Sequence, residues 1–178
     1  MRQHVAKCKD SQVAGSVRVG QGFDIHRFTQ ATESDRPLVL GGVRFPGERG
    51  LVGHSDADVI AHAVAESLLG AAALGDIGEH FPDSDPRWKD ADSIHLLKQV
   101  AQMVHSAGYE IGNVDCSVIC EQPKLAPHRT LMQQRLGDAI GASVTVKGRR
   151  PEGLGSLGRG EGIACWAVAV VNQVGGRT

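Results

Sequence analysis

An aspartate and two histidines are the residues of this chain whose types and spacing best suit catalysis. Asp24 and His26 lie two positions apart in a segment typical of a β-strand, where alternate side chains share a face. His62 lies in an Ala-rich apolar segment typical of a helix, with His54 shortly before it. One carboxylate and two imidazoles form the ligand set of a zinc site that keeps a position open for substrate. Each residue alone also suits a structural role, as a turn cap, a surface histidine or a buried helix histidine.

A glycine-rich segment and a basic cluster indicate that the ligand of such a site carries phosphate. Glycine recurs through residues 153–162, where turns can direct backbone N–H groups at phosphate oxygens. Lys147, Arg149 and Arg150 precede this segment and Arg159 lies within it, a local cluster that suits a small anion better than a polymer. No Gly-Lys-Ser/Thr follows, and a strand rather than a helix comes next, so the segment is neither a Walker A loop nor a dinucleotide fingerprint. Purely structural turns remain an alternative interpretation of the same glycines.

Strands and helices predicted from the residue pattern have to position these groups. Strands are predicted at residues 17–23, 38–40, 43–45, 113–121, 143–147 and 163–171. Gly41 and Gly42 predict a hairpin turn between the second and third strands. Ser55 as N-cap, with Asp58 three residues later, predicts the start of a first helix; two further helices are predicted at residues 92–107 and 127–140. This order predicts an α+β fold, a mixed sheet of four to five strands with three helices on one face.

The last predicted strand, residues 163–171, is nearly all apolar. Such a strand is buried on both faces, or buried on one face and covered by a partner chain on the other. Because the three helices cover one face of the sheet, the second face also has to be hidden from water. The sequence therefore predicts an oligomer.

Composition and charge limit the class of protein. A chain of 178 residues with 41% hydrophobic and 22% charged residues is typical of one globular domain, predicted over residues 17–178 after a flexible arm over residues 1–16. The net charge of −1 gives no global basic field for nucleic acid or an anionic membrane, and no apolar stretch is long enough to span a bilayer. Four cysteines without a CxxC pair predict reduced thiols and a cytoplasmic location.

Six motifs, in order and with matching gaps across about residues 17–171, resemble the 2-C-methyl-D-erythritol 2,4-cyclodiphosphate synthase family of the non-mevalonate isoprenoid pathway. The motifs are RVGQGFDIHRF (18–28), LGGVR (40–44), HSDADV (54–59), LLGAAALGDIG (68–78), FPDSDP (81–86) and GRGEGIA (158–164). The resemblance implies a homotrimer around a central channel, with active sites at the subunit interfaces and an isoprenoid diphosphate in the channel.

The resemblance also implies roles for individual residues. It implies that Asp24, His26 and His62 bind Zn²⁺ and that Asp24 and His26 also face the substrate. It implies that Glu152 binds a second ion, Mg²⁺ or Mn²⁺. Residues implied to hold the substrate phosphate during attack are His54 and Ser55. Arg150 is not part of the family pattern, but its charge predicts a contact with the same phosphates, beside Glu152. Residues implied at the ribose are Asp76, Ile77 and Gly78. The loop implied over the methylerythritol part consists of Phe81, Pro82, Asp83, Ser84 and Asp85. Residues implied around the cytidine diphosphate are Cys120, Lys124, Leu125, Ala126, Gly148 and Arg149. Residues implied at the channel are Phe23, Arg159 and Glu161.

One stretch departs from the family pattern. Two or three threonines normally precede the glutamate, whereas Arg149, Arg150 and Pro151 precede Glu152 here. Arg150 can offer a charge-assisted phosphate contact, but a long guanidinium does not occupy the space of a hydroxyl, and Pro151 removes a backbone N–H. Harmless local drift and altered nucleotide binding are both open interpretations.

The implied reaction is an intramolecular phosphoryl transfer. In 4-diphosphocytidyl-2-C-methyl-D-erythritol 2-phosphate, the 2-phosphate attacks the β-phosphorus and CMP leaves, which gives 2-C-methyl-D-erythritol 2,4-cyclodiphosphate. Two other functions remain open from the sequence. One is a zinc-bearing trimer that binds diphosphates in a regulatory role with little turnover. The other is a zinc-dependent phosphoester hydrolase.

Overall fold

Within residues 16–30 and 36–174, the part of the chain that this computed structural model describes, strands and helices form an α+β fold. The strands are β1 (Val17–Arg27), β2 (Pro37–Leu40), β3 (Val43–Arg49), β4 (Tyr109–Ile119), β5 (Ser143–Arg149) and β6 (Gly162–Gln173). The helices are α1 (Val59–Ala72), α2 (Ile77–His80), α3 (Ser93–Ser106), α4 (Arg129–Ile140) and α5 (Gly155–Gly158). Apart from Ser16, the arm predicted over residues 1–16 lies outside the described residues.

The main sheet has four strands in the order β1-β6-β4-β5. β6 runs antiparallel to both of its neighbours, whereas β4 and β5 are parallel. The C-terminal ends of β1, β4 and β5 therefore lie at the same end of the sheet. The strands β2 and β3 form a separate hairpin, and Gly41 and Gly42 at its turn have φ values of 55° and 72°. This pair of positive φ angles is the type I′ geometry that the two glycines predict.

Helix α1 packs directly on β1 because two glycines leave room for it. A Cβ atom built on Gly20 would lie 2.1 Å from the carbonyl oxygen of Ser67, and one built on Gly22 would lie 2.1 Å from that of Ala63. Any side chain at either position would displace the helix. The close approach places the first turn of α1 over the end of β1.

The start of α1 differs from the prediction. Ser55 is not the N-cap: Asp58 is, and its carboxylate accepts hydrogen bonds from the N–H groups of Ile60 and Ala61. Ala57 has a φ of 58°, a left-handed conformation that interrupts any helix begun at Ser55. The Asp58 carboxylate also accepts from the N–H groups of Gly41 and Gly42, which joins the hairpin turn to the helix. Ser55 and Asp58 are both suitable N-cap residues three positions apart, and the sequence pattern does not show which of them caps α1.

The three long helices cover one face of the sheet, as predicted. Helix α1 packs against β1 and β6, α3 against β4, and α4 against β5. Helix α3 begins after its N-cap Asp92, as predicted, whereas α4 begins at Arg129 after a separate 3₁₀ turn, Ala126–His128. Within the described residues, no helix is both long and apolar enough to cross a bilayer.

On the other face of the sheet, none of the described residues covers the apolar side chains of β1 and β6. From Cys165 onward, side chains of β6 alternate between buried and more exposed positions, so the interpretation of this strand as buried on both faces is wrong for the single chain. Large apolar side chains exposed on β1 and β6 are Val17, Val19, Phe23, Ile25, Trp166 and Val168. Phe23 and Trp166 contact each other across the two strands, with ring centroids 4.6 Å apart. This row is an apolar patch of the kind that marks an interaction surface, and we call it the outer face.

Candidate active site

The predicted carboxylate and imidazoles do converge. Asp24 and His26 project from the face of β1 that α1 covers, and His62 lies in the first turn of α1. The Oδ2 atom of Asp24 is 3.0 Å from Nε2 of His26 and 2.9 Å from Nδ1 of His62. The candidate ligand atoms of the three residues lie within 4.8 Å of one another. In residues 16–30 and 36–174, these three side chains form the group that could hold a metal ion.

Partial burial makes the electrostatic interactions within this cluster strong. Burial alone would raise the pKa of Asp24, but the close contacts and charges of His26 and His62 outweigh burial and hold this pKa well below its usual range. Burial alone would lower the pKa of His62, but its hydrogen bond to Asp24 and the charges of Asp24, Asp58 and Asp56 raise it. The carboxylate is therefore ionised, which is the form that binds a cation.

The contacts of His26 test whether a metal ion fits this cluster. Its Nε2 atom is buried and has no partner with hydrogen-bond geometry, although Asp24 Oδ2 is 3.0 Å away. A buried polar atom without a partner is costly unless something else binds it. A divalent cation between the carboxylate and the two ring nitrogens would satisfy this atom. The donor set of one oxygen and two imidazole nitrogens suits Zn²⁺.

The second nitrogen of His62 contacts hydroxyl groups. Its Nε2 atom lies 3.0 Å from Oγ of Ser55 and 2.8 Å from Oγ of Ser93, the first residue of α3. The Ser93 hydroxyl in turn donates to the carboxylate of Asp56. Sequence reasoning named Ser55 but missed Asp56 and Ser93. The only signal for Ser93 was its position after the cap of α3, which gives no indication that α3 begins beside His62.

Two further predicted contact regions lie on loops after β3 and α2. His54 precedes Ser55, and its Nε2 atom lies 3.3 Å from the carbonyl oxygen of Asp85. The carboxylate of Asp85 forms an ion pair with Arg87 at 2.6 Å, which lowers the pKa of Asp85. Phe81 is buried edge-on against Trp88, with ring centroids 5.0 Å apart. The segment 81–85 therefore packs beside His54, with the partly exposed Pro82 and the exposed Asp83 and Ser84 between these anchors.

The residues predicted at the ribose form the short helix α2. Asp76 is its N-cap, and the carboxylate accepts a hydrogen bond from the N–H of Glu79 at 3.0 Å. The N–H of Ile77 donates to Glu66 of α1 at 3.0 Å, which ties α2 to the helix that carries His62. Gly78 follows within the same turn.

The residues predicted around the cytidine diphosphate line a single cavity of about 200 Å³. Its lining consists of Cys120, Glu121, Lys124, Leu125, Ala126, Arg129, Gly148, Arg149 and Arg150. Four of these side chains are cationic and one is anionic, so the cavity suits an anion. Burial, together with the charge of Glu121, raises the pKa of Cys120 to about 11, although Arg150 acts in the opposite direction. The described cysteines, Cys116, Cys120 and Cys165, are free thiols.

Glu152 and Arg159 lie outside both the metal cluster and this cavity. Glu152 is exposed and has a φ of 54° in the turn after β5. The next residue, Gly153, donates its N–H to Glu121 at 3.0 Å, which links that turn to the cavity wall. Arg159 pairs with Glu161 at 2.6 Å, and both side chains are exposed. A second metal site on Glu152 stays a prediction, because the cluster that can hold an ion does not include it.

Comparisons with known proteins agree with this arrangement. The profile of the YgbB family matches residues 17–172. A curated relative from Bacillus cereus, named 2-C-methyl-D-erythritol 2,4-cyclodiphosphate synthase, is 50% identical over 159 residues, which cover 88% of this chain and 98% of the relative. A relative from Bacillus mycoides with the same name is 49% identical over 159 residues, with the same coverage.

Solved structures give the same result. The bifunctional IspDF from Campylobacter jejuni matches with a TM-score of 0.84 and 38% identity, covering 90% of this chain and 43% of that chain. This chain thus spans less than half of that bifunctional protein. IspF of Plasmodium falciparum, solved as a CDP complex, matches with a TM-score of 0.77 and 30% identity, covering 90% of this chain and 99% of that chain. The chain belongs to the YgbB family.

Proposed function

We propose that this chain is a cyclodiphosphate synthase, a phosphorus–oxygen lyase of isoprenoid precursor biosynthesis. It converts 4-diphosphocytidyl-2-C-methyl-D-erythritol 2-phosphate into 2-C-methyl-D-erythritol 2,4-cyclodiphosphate and CMP. The observation that carries the proposal is the convergence of Asp24, His26 and His62, in a chain that is 50% identical to a curated synthase.

Asp24, His26 and His62 would hold one Zn²⁺ ion. When bound, Zn²⁺ supplies Lewis-acid stabilisation and a template for a phosphate group. The ionised Asp24 carboxylate and the partnerless Nε2 atom of His26 support this assignment.

The reaction asks the protein for positioning and charge rather than for a nucleophile. A 2-phosphate oxygen attacks the β-phosphorus of the same molecule, and a new P–O bond forms. The bond from that phosphorus to the bridging oxygen breaks, and the oxygen leaves with CMP. His54 lies close to the metal cluster, because the next residue, Ser55, contacts His62. We therefore assign the imidazole of His54 to donate a hydrogen bond to the attacked phosphate. The loop 81–85 beside His54 would exclude water from this step.

The basic cavity would bind the cytidine diphosphate end of the substrate. Lys124, Arg149 and Arg150 are exposed around its mouth, and a diphosphate would neutralise part of this charge. Arg150 would take the place of the threonine hydroxyl that the family pattern predicts. Its guanidinium reaches further and carries a charge, so nucleotide binding in this chain would depend strongly on salt.

Glu152 would hold a second ion, Mg²⁺ or Mn²⁺, which would neutralise charge on the diphosphate. The carboxylate of Glu152 is exposed on a turn that a hydrogen bond ties to the cavity wall. Mg²⁺ is usually held by one or two carboxylates together with substrate phosphates, which suits a lone glutamate.

A homotrimer with active sites at the subunit interfaces would hide the outer face. Phe23, Ile25, Trp166 and Val168 are each at least 40% exposed in the single chain. A monomer rarely leaves such a contiguous apolar surface in water. Phe23, Arg159 and Glu161 would then line a central channel that admits an isoprenoid diphosphate. A cytoplasmic location, predicted from the thiols, fits this biosynthetic role.

The proposal is tested by following the substrate with ³¹P NMR in the presence of Zn²⁺ and Mg²⁺. We expect the wild-type protein to produce cyclodiphosphate and CMP in equal amounts. His62→Ala should lose Zn²⁺ and nearly all CMP release, because it removes one ligand from the cluster. His105→Ala, on an exposed face of α3, is the matched control and should retain both.

Other product patterns would refute the proposal. Tight substrate binding without any turnover would indicate a regulatory diphosphate-binding protein. An open-chain phosphate product without the cyclic diphosphate would indicate a hydrolase. Full turnover by His62→Ala would remove the metal cluster from the mechanism.

A further inference from the structure

A buried hydroxyl and a carboxylate support His62 from the side of its second ring nitrogen. The Nε2 atom of His62 lies 2.8 Å from Oγ of Ser93. The Ser93 hydroxyl forms a very short hydrogen bond to Oδ1 of Asp56, and the Ser93 N–H donates to Oδ2 of Asp56 at 3.1 Å. Ser93 is 1% exposed. These contacts form a chain from Asp56 through Ser93 to His62, which we call the serine relay.

The chemistry of the groups decides where the hydrogen atoms lie. A carboxylate can only accept, so the single hydroxyl hydrogen of Ser93 is directed to Asp56. The oxygen of Ser93 then presents lone pairs to Nε2 of His62, and this nitrogen must donate. A neutral imidazole with its proton on Nε2 has its lone pair on Nδ1. Nδ1 is the atom that lies 2.9 Å from Asp24, within the metal cluster.

Ser55 is compatible with the same proton arrangement. Its Oγ atom lies 3.0 Å from Nε2 of His62 and 3.4 Å from Oγ of Ser93. It can therefore be a second acceptor for the Nε2–H group, and its own hydrogen can point to Ser93. Of the two hydroxyls beside Nε2 of His62, that of Ser93 donates to a carboxylate, so the direction of the relay depends on Ser93.

The backbone holds the relay in place. The N–H of Asp56 donates to the carbonyl of Ala91 at 3.0 Å, and Oδ1 of Asp56 accepts from the N–H of Asp58 at 3.2 Å. Ala57, between the two aspartates, has a φ of 58°, a strained conformation for a residue other than glycine. The turn directs Asp56 to the start of α3 and Asp58 to the start of α1. The strained backbone of Ala57 therefore lies in the turn that directs Asp56 to Ser93.

We propose that Ser93 and Asp56 are positioning residues that fix the tautomer and orientation of His62, so that Nδ1 faces the bound metal ion. This inference rests on the proposed zinc site. Partners of this kind behind a metal-ligating histidine typically change metal affinity by about 10- to 100-fold. Ser93→Ala should therefore weaken Zn²⁺ binding by about that factor.

The test measures Zn²⁺ dissociation constants of the full chain by competition with a chelating dye. Ser93→Thr keeps the hydroxyl and should bind Zn²⁺ nearly as tightly as the wild type. Asp56→Asn offers one acceptor oxygen instead of two, and should fall between the wild type and Ser93→Ala. Ser67→Ala is the matched control, because Ser67 is also fully buried, on α1, but its hydroxyl donates to the carbonyl of Val64.

A spectroscopic measurement separates positioning from general stability. In the zinc-loaded wild type, the Nε2–H proton of His62 should give a downfield NMR signal that is protected from exchange. Ser93→Ala should move this signal upfield and expose it to exchange, and Ser93→Thr should restore it. A role of Ser93 in folding alone would leave the signal unchanged in any variant that still folds.

Each result has a defined meaning. Unchanged Zn²⁺ affinity in Ser93→Ala would overturn the relay and leave the proposed function intact. Equal weakening in Ser93→Ala and Ser93→Thr, or in Ser67→Ala, would overturn it too, because packing and not the hydroxyl would be responsible. A wild-type protein that binds no Zn²⁺ would overturn the proposed function, and the relay with it.

Discussion

The metal cluster and the basic cavity are built in different ways. Asp24, His26 and His62 project from a strand and a helix that touch directly, and their side chains are 22%, 20% and 13% exposed. Arg149 is the last residue of β5, Arg150 follows it, and both are exposed to solvent. Charges in the cluster interact through a low-dielectric environment, so the pKa values of Asp24 and His62 are shifted, whereas exposed arginines are screened.

This difference indicates which part of the site the single chain completes. The cluster has its ligands and its supporting contacts within one chain. The cavity is lined by cationic side chains that are exposed, and under the proposed function an occupant or a neighbouring subunit would complete it. The following predictions separate the two regions.

The largest effect is expected from Gly22→Ala. The added Cβ would lie 2.1 Å from the carbonyl of Ala63 and 2.6 Å from the N–H of Ser67, so α1 has to move. We expect loss of stoichiometric Zn²⁺ and a destabilisation of about 1–3 kcal/mol or more, measured by metal analysis and thermal unfolding.

Gly70→Ala is the control for that substitution. A Cβ on Gly70 would be 3.8 Å from its nearest neighbour, the carbonyl of Gln21, an ordinary contact. Because Gly70 lies inside α1, alanine should stabilise the helix by up to about 1 kcal/mol and retain Zn²⁺. Zinc binding by Gly22→Ala at wild-type affinity would show that direct contact of α1 with β1 does not position the cluster.

A charge introduced on the outer face should impair the basic cavity while leaving the metal cluster intact. Trp166→Lys should dissociate the proposed trimer, because the lysine would have to be buried between subunits. Analytical ultracentrifugation would report the mass. We expect Zn²⁺ to remain bound, since the cluster lies within one chain, while CDP binding falls at least tenfold.

Leu131→Lys is the matched control, since Leu131 is exposed to a similar extent, 41%, but lies on α4. This variant should keep both the assembly and the CDP affinity. A Trp166→Lys monomer that binds CDP as well as the wild type does would mean that the nucleotide site is also complete in one chain.

Arg150→Thr should have a smaller effect, confined to the cavity. Loss of one exposed cationic contact should weaken CDP binding by roughly threefold to tenfold at low salt, and less at high salt. Zinc stoichiometry should stay at the wild-type value. Calorimetric titration with CDP at two salt concentrations measures this, with Lys98→Thr on α3 as the control; equal affinity for CDP would make Arg150 a bystander.

The last prediction needs no substitution and concerns the thiol in the cavity wall. With its pKa raised to about 11, Cys120 has little thiolate at pH 8, so iodoacetamide should modify it roughly a hundredfold more slowly than in the denatured chain. The rate should rise as the pH approaches 11, and bound CDP should slow it further. Mass spectrometry of the peptide measures the rate; alkylation as fast as in the denatured chain would contradict the burial of this thiol.

Local pattern was sufficient for much of the fold. The hairpin at Gly41 and Gly42, the cap of α3 at Asp92 and the end of α4 at Gly141 follow from backbone preferences of single residues, and the structure confirms them. The start of α1 was predicted at Ser55, three residues before the observed cap Asp58. The left-handed Ala57 between them has no local signal, because alanine ordinarily prefers the helical region.

The sequence by itself determined the ligand types, the strand periodicity that puts Asp24 and His26 on one face, and the family motifs that link distant segments. Only the tertiary structure decided that α1 lies against Gly20 and Gly22, and that Ser93 and Asp56 lie behind His62. The physical reason is that ligand identity is a property of single residues, whereas the tautomer and direction of an imidazole depend on contacts between segments far apart in the chain.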